Sequence, residues 1–139
     1  MVRSWVTVSI LALALTHVSA SQNKDPAASG AWVAEPAEGA TSASAFAVIE
    51  NPGMYDVYVV GVTCDAAGSA EIADGPPDSA KTLDSLTVPA YGQTELKAGG
   101  VHIRLKDLKR PLKAGESIEL TLSLDNGATV KVSAPVKKG

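Results

Sequence analysis

Residues 117–136 read SIELTLSLDNGATVKVSAPV, and this stretch decides the fold. Two rows of apolar residues alternate with polar ones, and they are Ile118, Leu120, Leu122 and Leu124, then Val130, Val132, Ala134 and Val136. Successive strand residues point to opposite faces, so each row predicts a strand with one buried face. The residues between the rows, Asp125, Asn126 and Gly127, are typical of a tight turn. The stretch therefore predicts a β-hairpin.

The same alternation continues upstream of the hairpin. Over residues 101–106 (VHIRLK) it predicts Val101, Ile103 and Leu105 in the core, with His102, Arg104 and Lys106 facing solvent. Further strands are predicted at 31–34, 45–50, 57–64, 70–73, 86–88 and 94–96, separated by segments that contain Gly or Pro. Many short strands without a helical apolar period predict one all-β domain, an antiparallel β-sandwich or a partly open barrel.

The N-terminal segment differs in kind from this domain. Arg3 is followed by an apolar run over residues 5–15 and by the small residues Val18, Ser19 and Ala20. This pattern predicts a secretory signal peptide over residues 1–20. The alternative is a membrane anchor, but the run is shorter than the roughly 20 residues that span a bilayer. We therefore expect a periplasmic or secreted protein without membrane insertion after cleavage.

Residues 21–30 (SQNKDPAASG) are polar and small, and they predict a flexible lead before a domain over residues 31–139. The chain has one cysteine, Cys64, and it lies far from the predicted cleavage site, which disfavours a lipid anchor there.

Composition excludes several functional classes. The 139 residues carry 12 cationic and 15 acidic side chains. Loss of residues 1–20 removes Arg3 and leaves a formal charge of −4, which is not that of a nucleic-acid binder. It also leaves one His (His102), one Met (Met54) and one Cys (Cys64). With a single imidazole and no GxSxG nucleophile turn, the sequence predicts that the protein is not an enzyme.

A basic strip follows His102. Residues 104–113 (RLKDLKRPLK) hold five cations and a single acid, Asp107. The strip is either a contact for an acidic partner or a solvated strand edge with a turn. Because no aromatic residues interleave for base stacking, it does not predict nucleic-acid binding.

Two segments around this strip resemble a known family. Residues 99–103 (GGVHI) and 108–116 (LKRPLKAGE) are similar to the PCu(A)C family of periplasmic copper chaperones, and the resemblance extends over essentially the whole predicted domain. It implies a cupredoxin-like, Greek-key β-sandwich. It also implies that Cu(I) is carried to a copper-receiving or assembly protein for cytochrome oxidase.

The copper ligands of the family are a His, a Met and a His-x-Met pair, and most of them have no counterpart in this sequence. His102 matches the third ligand, but Arg104 stands where the paired Met is expected and Ala73 where the first His is expected. Residues 75–84 contain no Met. Because strand residues i and i+2 share a face, Arg104 is expected to place a cation beside His102 and to oppose copper binding. The resemblance therefore implies copper binding that is weak or lost.

A rewired site is the alternative. Met54, Cys64 and His102 together would offer two sulfur atoms and a nitrogen to Cu(I). Against it, strand alternation places Cys64 on the same face as Tyr58, Val60 and Val62, which is typical of a small buried side chain. Two functions remain open, a copper-delivery protein and a metal-independent protein-interaction module on the same scaffold.

Overall fold

The computed structural model describes residues 25–77 and 79–138, and every regular element within them is a β-strand. The ten strands are β1 (Ala27–Ala34), β2 (Ala43–Asn51), β3 (Val57–Cys64), β4 (Ala67–Asp74), β5 (Lys81–Leu83), β6 (Leu86–Val88), β7 (Gly92–Glu95), β8 (Val101–Leu108), β9 (Ser117–Leu124) and β10 (Thr129–Lys137). The predicted signal peptide, residues 1–20, lies outside the described residues. In the part that is described, no helix has the length and apolar character needed to cross a membrane.

The strands close into a sandwich. Neighbours follow the order β4, β8, β2, β1, β10, β9, β3, and β3 returns to β4 where Val62 pairs with Ala70. The three short strands β5, β6 and β7 pair with β4, β3 and β2 respectively. This confirms the predicted single-domain, all-β sandwich. One ladder of the described residues is parallel, and it joins β1 and β10, the first and last strands of the chain.

The predicted hairpin forms and supplies much of the core. Ile118, Leu120, Leu122 and Leu124 are all buried, and they pair with β10 in register. Gly127 closes the turn with a φ of 86°, and Asn126 Oδ1 accepts a hydrogen bond from Ala128 N. Gly127 therefore supplies the left-handed backbone that this turn needs, and Asn126 contributes the side-chain hydrogen bond that closes it.

The start of β1 and the whole of β5 differ most from the sequence prediction. β1 begins at Ala27 and so takes in the last four residues of the segment predicted as a flexible lead. These small residues have little strand preference of their own, but they pair with β2 from Ala27 opposite Glu50 onward. β5 was not predicted, because three residues show no alternation and only pairing with β4 defines the strand.

The side chains of β3 that point inward also differ from those that the sequence predicted. Alternation placed Tyr58, Val60 and Cys64 on one face, but Tyr58 and Val60 are exposed whereas Cys64 is buried. The ladder to β9 shifts register between Val59 and Gly61. Because a bulge inserts one residue, it reverses which face every following side chain takes.

The prediction that His102 faces solvent is wrong, since His102 is only 1% exposed. The outer face of the sheet is covered at this position. Phe46 of β2 lies next to His102 with ring centroids 6.3 Å apart, and the segment after β1 and Pro77 border the same cavity. A sequence pattern does not show such a cover, because it is formed by residues distant in the chain.

The loops gather at two opposite ends of the sandwich. One end holds the β2–β3 loop, the β6–β7 turn and the β9–β10 turn, and there Tyr91 N donates to Gly53 O and Asp125 N to Tyr58 O. The opposite end holds the loops that follow β1, β3 and β8, and there Leu108 N donates to Thr41 O and Lys109 N to Ala66 O.

Candidate functional site

His102, near the start of β8, is the centre of the candidate site. Its Nδ1 lies 2.9 Å from Gly100 O, and its Nε2 is buried without a hydrogen-bond partner. The residue borders a cavity of about 320 Å³ together with Ser42, Ser44 and Pro77. A buried polar atom without a partner is uncommon in native proteins, so Nε2 is the atom of this site that is available to a ligand.

The contact to Gly100 fixes how the ring can act. A carbonyl oxygen only accepts, so Nδ1 carries the hydrogen and the neutral ring presents its lone pair at Nε2. Histidines that bind metals commonly donate their other N–H to such a carbonyl, which orients the ring and raises its basicity. His102 therefore has the tautomer and orientation of a metal ligand.

Ala73 lies directly opposite His102 in the ladder between β4 and β8. Cβ atoms of directly opposed residues are about 5 Å apart, so a ligand at position 73 would lie beside the imidazole. This position is the one at which the resemblance implied the first His. Ala73 is fully buried and offers no donor atom.

Arg104, two residues after His102, forms an ion pair across the strands. Its Nε lies 2.8 Å from Glu71 Oε1, an ion pair rather than an aligned hydrogen bond, and its Nη2 donates to Ala80 O at 3.2 Å. Lys106 Nζ lies 3.0 Å from the same carboxylate oxygen. Hydrogen bonds from Lys106 and Thr82 lower the pKa of Glu71 against the opposing effect of burial, and the charges of Arg104 and Lys106 lower it further.

The balanced charge corrects one expectation from the sequence. The cation at Arg104 is not left uncompensated beside His102, because Glu71 faces it directly across the ladder. This pair could not be predicted from the sequence, since residues 71 and 104 meet only through the strand register. Arg104 removes a sulfur ligand from the site, but its repulsion of a cation is reduced.

The structure does not bring Met54, Cys64 and His102 together. Met54 lies in the loop before β3 and Cys64 is the last residue of β3, a strand that is about 23 Å long at 3.3 Å per residue. Val62 pairs with Ala70, which places Cys64 about five residues, or roughly 16 Å, from the level of Ala73 and His102. The described chain therefore does not assemble the rewired triad within one molecule.

Cys64 has the surroundings of a structural thiol. Its Sγ accepts a hydrogen bond from Ala66 N at 3.4 Å, and the side chain is buried against the core. Burial raises the pKa of the Cys64 thiol, and the neighbouring Asp65 carboxylate raises it further. Because the thiolate is the form that binds metal, these surroundings disfavour metal binding at Cys64.

The predicted basic strip is not one surface. Arg104 and Lys106 lie on the outer face of β8 with Glu71, whereas Lys109, Arg110 and Lys113 lie in the loop after the strand. The loop cations border a cleft that the sequence did not reveal, because its other wall comes from the residues that follow β1. Only this second group remains available to a partner without breaking the Glu71 contacts.

Within residues 25–77 and 79–138, no three His, Cys, Asp or Glu side chains are grouped as metal ligands. The site thus offers one imidazole nitrogen, a small cavity and no second soft ligand from its strand neighbours. A single neutral nitrogen suits Cu(I), but one ligand alone holds the ion weakly.

Comparison with known proteins gives the relatives of this chain. Residues 27–136 match the family model described as "Putative lipoprotein LpqE-like". A protein of Leifsonia xyli subsp. xyli (strain CTCB07), named "Putative lipoprotein Lxx21020", is 35% identical over 146 residues, covering 94% of this chain and 87% of that protein.

Solved structures are also similar. The solution structure of CuI-DR1885 from Deinococcus radiodurans is 33% identical, with a TM-score of 0.66 over 79% of this chain and 76% of that one. The copper-bound PCuAC domain from PmoF2 has a TM-score of 0.71 over 81% of this chain and 92% of that one, but at 21% identity it shows the fold alone. The chain therefore belongs to the LpqE-like family and has the PCuAC domain fold, which confirms the resemblance seen in its sequence.

Proposed function

We propose that this protein is an exported, copper-chaperone-like protein that holds Cu(I) weakly through His102 Nε2 and passes it to a copper-receiving protein. One observation carries the proposal, namely that the buried Nε2 has no partner while Nδ1 is bound to Gly100 O. The family fold and the copper-bound relatives support copper as the cargo. Delivery to cytochrome oxidase assembly would follow from the same likeness.

Weak binding follows from the residues around His102. Neither Ala73 opposite it nor Arg104 on the same face supplies a second ligand, and the Arg104 guanidinium is engaged by Glu71. Cu(I) bound by one protein nitrogen must complete its coordination from solvent or from the receiving protein. Such a site releases its ion readily, which suits transfer more than storage.

A competition titration against a colorimetric Cu(I) chelator tests this. We expect the chain to bind no more than one Cu(I), with much lower affinity than a multi-ligand site, and His102→Ala to abolish the binding. The matched control is Cys64→Ser, which should leave the titration unchanged. Stoichiometric tight binding by the chain would contradict the weak site, and binding that persists in His102→Ala would place the ion elsewhere.

Arg104→Met provides a gain-of-function test. Because residues 102 and 104 share a face of β8, this substitution adds a thioether beside Nε2 and removes a cation, while Glu71 keeps its contact with Lys106. We expect the Cu(I) affinity to rise at least about tenfold, or 1.4 kcal/mol. Arg104→Leu removes the same charge without adding sulfur, so an equal rise in both variants would assign the effect to charge alone.

The second candidate is a metal-independent interaction module on the same scaffold. The ion pair between Arg104 and Glu71 favours it, because it occupies the place where a soft ligand is expected with a contact that needs no metal. No measurable Cu(I) binding by either the chain or Arg104→Met would support this candidate over copper handling.

A further inference from the structure

One end of the sandwich carries the exposed aromatic residues of the domain. All three tyrosines of the chain, Tyr55, Tyr58 and Tyr91, lie there. Tyr55 is 76% and Tyr91 74% exposed, and Met54 beside them is 55% exposed. Tyrosine and methionine are enriched at protein interfaces, and grouped exposure of such side chains marks interaction sites. We call Met54, Tyr55 and Tyr91 the aromatic end.

Its backbone is held rigidly. Asn51, 1% exposed, donates from Nδ2 to Tyr55 O at 2.7 Å and to Val88 O at 3.1 Å, and its Oδ1 accepts from Gly53 N. Tyr91 has a φ of 55°, a left-handed conformation that is strained for an aromatic residue. Side chains presented on a rigid, strained turn lose little entropy on binding, which is a property of interface anchors.

The charges around the aromatic end have one sign. The loops 52–56, 89–91 and 125–128 contain Asp56 and Asp125 but no Lys or Arg, and exposed Glu50 lies just before them. Two copies of this end would therefore repel each other. A surface that complements the aromatic end is apolar and is bordered by cations.

The opposite end of the same molecule has that character. A cleft of about 690 Å³ lies between residues 35–40 and 108–113, with Pro36, Pro111 and buried Leu112 among its lining residues. Exposed Lys109 and Lys113 stand on one wall, together with Arg110, whose Nε is 3.8 Å from Glu116. The other wall carries Glu35 and Glu38, so acidic side chains of a partner can bind only along the basic wall. We call this the basic cleft.

We propose that the aromatic end of one molecule docks in the basic cleft of a second copy, in a head-to-tail contact. Tyr55 and Tyr91 supply the apolar anchors, and Asp56 and Glu50 face Lys109 and Lys113. Because the two surfaces lie at opposite ends of the sandwich, the contact does not close and forms short chains instead of a symmetric dimer. It does not depend on copper.

The contact is weak. Two tyrosines and a methionine bury less than the roughly 1,200 Å² of a standard interface, so a dissociation constant of about 0.1–1 mM is expected. Its charged border makes it sensitive to salt.

Sedimentation velocity of the protein purified after export tests the proposal. The weight-average sedimentation coefficient should rise between about 10 μM and 1 mM protein at low salt, and this rise should be lost in about 0.5 M NaCl. Two double variants each remove one partner surface, Tyr55→Ser with Tyr91→Gly, and Lys109→Glu with Lys113→Glu. Each should remain monomeric alone, and an equal mixture should form heterodimers but no longer species.

Controls separate this contact from other causes. Lys97→Glu with Lys131→Glu changes the net charge equally at exposed positions that line neither surface and should associate as the unmodified protein does. Circular dichroism checks that every variant is folded. A monomer at all concentrations overturns the proposal. Association lost in the tyrosine variant but kept in the Lys109/Lys113 variant also overturns it, since that result indicates a symmetric contact.

Discussion

Glu71 dominates the electrostatics of the outer face of β8, because Arg104 and Lys106 both contact its Oε1. Its pKa is lowered, so the stabilisation that it provides is complete above the ordinary glutamate pKa of about 4.3 and is lost as the pH falls through the folded-state value. Since the side chains are partly exposed, the contacts of Glu71 with Arg104 and Lys106 together contribute about 1 kcal/mol to the free energy of unfolding. We expect Glu71→Gln to lower the free energy of unfolding by that amount at pH 7.

Urea unfolding at a series of pH values measures this. The difference between the chain and Glu71→Gln should be complete above the ordinary glutamate pKa of about 4.3 and should shrink as the pH falls through the lowered folded-state pKa, where the native carboxylate takes up its proton. Glu119→Gln is the matched control at an exposed strand position and should change little. A difference that is independent of pH would mean that Glu71 acts through packing and not through its charge.

At this scale the candidate site was only partly predictable. His102 could be identified from its sequence neighbours, and the sequence also shows that Arg104, not a Met, stands two residues after it. Its burial, its contact to Gly100 and the unpartnered Nε2 depend on Phe46 and on segments distant in the chain. The partner of Arg104 depended on the β4–β8 register, which a single sequence does not specify.

At the scale of elements, the β9–β10 hairpin rests on one conformational requirement. Gly127 has a φ of 86°, and a Cβ there would meet no atom within 4 Å, so a substitution adds backbone strain without a clash. Gly127→Ala should therefore destabilise the domain by about 1–2 kcal/mol. Gly61→Ala is the matched control, because its Cβ would make an ordinary 3.7 Å contact with Ser123 and its φ is not in the left-handed region. Thermal unfolding of both variants checks this, and equal losses would refute the role of the turn conformation.

Strands with strong alternation were predictable as elements, and those defined by pairing were not. β9 and β10 carry apolar rows that leave one choice of face, and an Asn-Gly turn joins them. β5 has three residues, and the start of β1 consists of small residues, so only their partner strands define them. The β3 bulge reversed a face without leaving a mark in the alternation. Local pattern thus determines a strand where one face is strongly apolar, and tertiary pairing determines the rest.

At the scale of the whole molecule, closure of the sheet couples the strands, and Cys64 reports on that coupling. Cys64 lies at the end of β3, paired with Leu120 of β9, near the single register pair that joins β3 to β4. Because its thiol is buried and its pKa is raised, alkylation requires opening of this seam. If the closed sheet unfolds as one unit, the rate of alkylation follows the population of the unfolded chain.

We expect iodoacetamide to react at least about a hundredfold more slowly with the native protein than with the chain in urea, with a urea dependence that matches the global transition. Val60→Cys in a Cys64→Ser background is the control on the same strand, since Val60 is half exposed and should react at the rate of a free thiol. Alkylation of Cys64 that accelerates well below the global midpoint would show that the β3–β4 seam opens on its own, and the sandwich would then behave as an open sheet whose edges separate before the core.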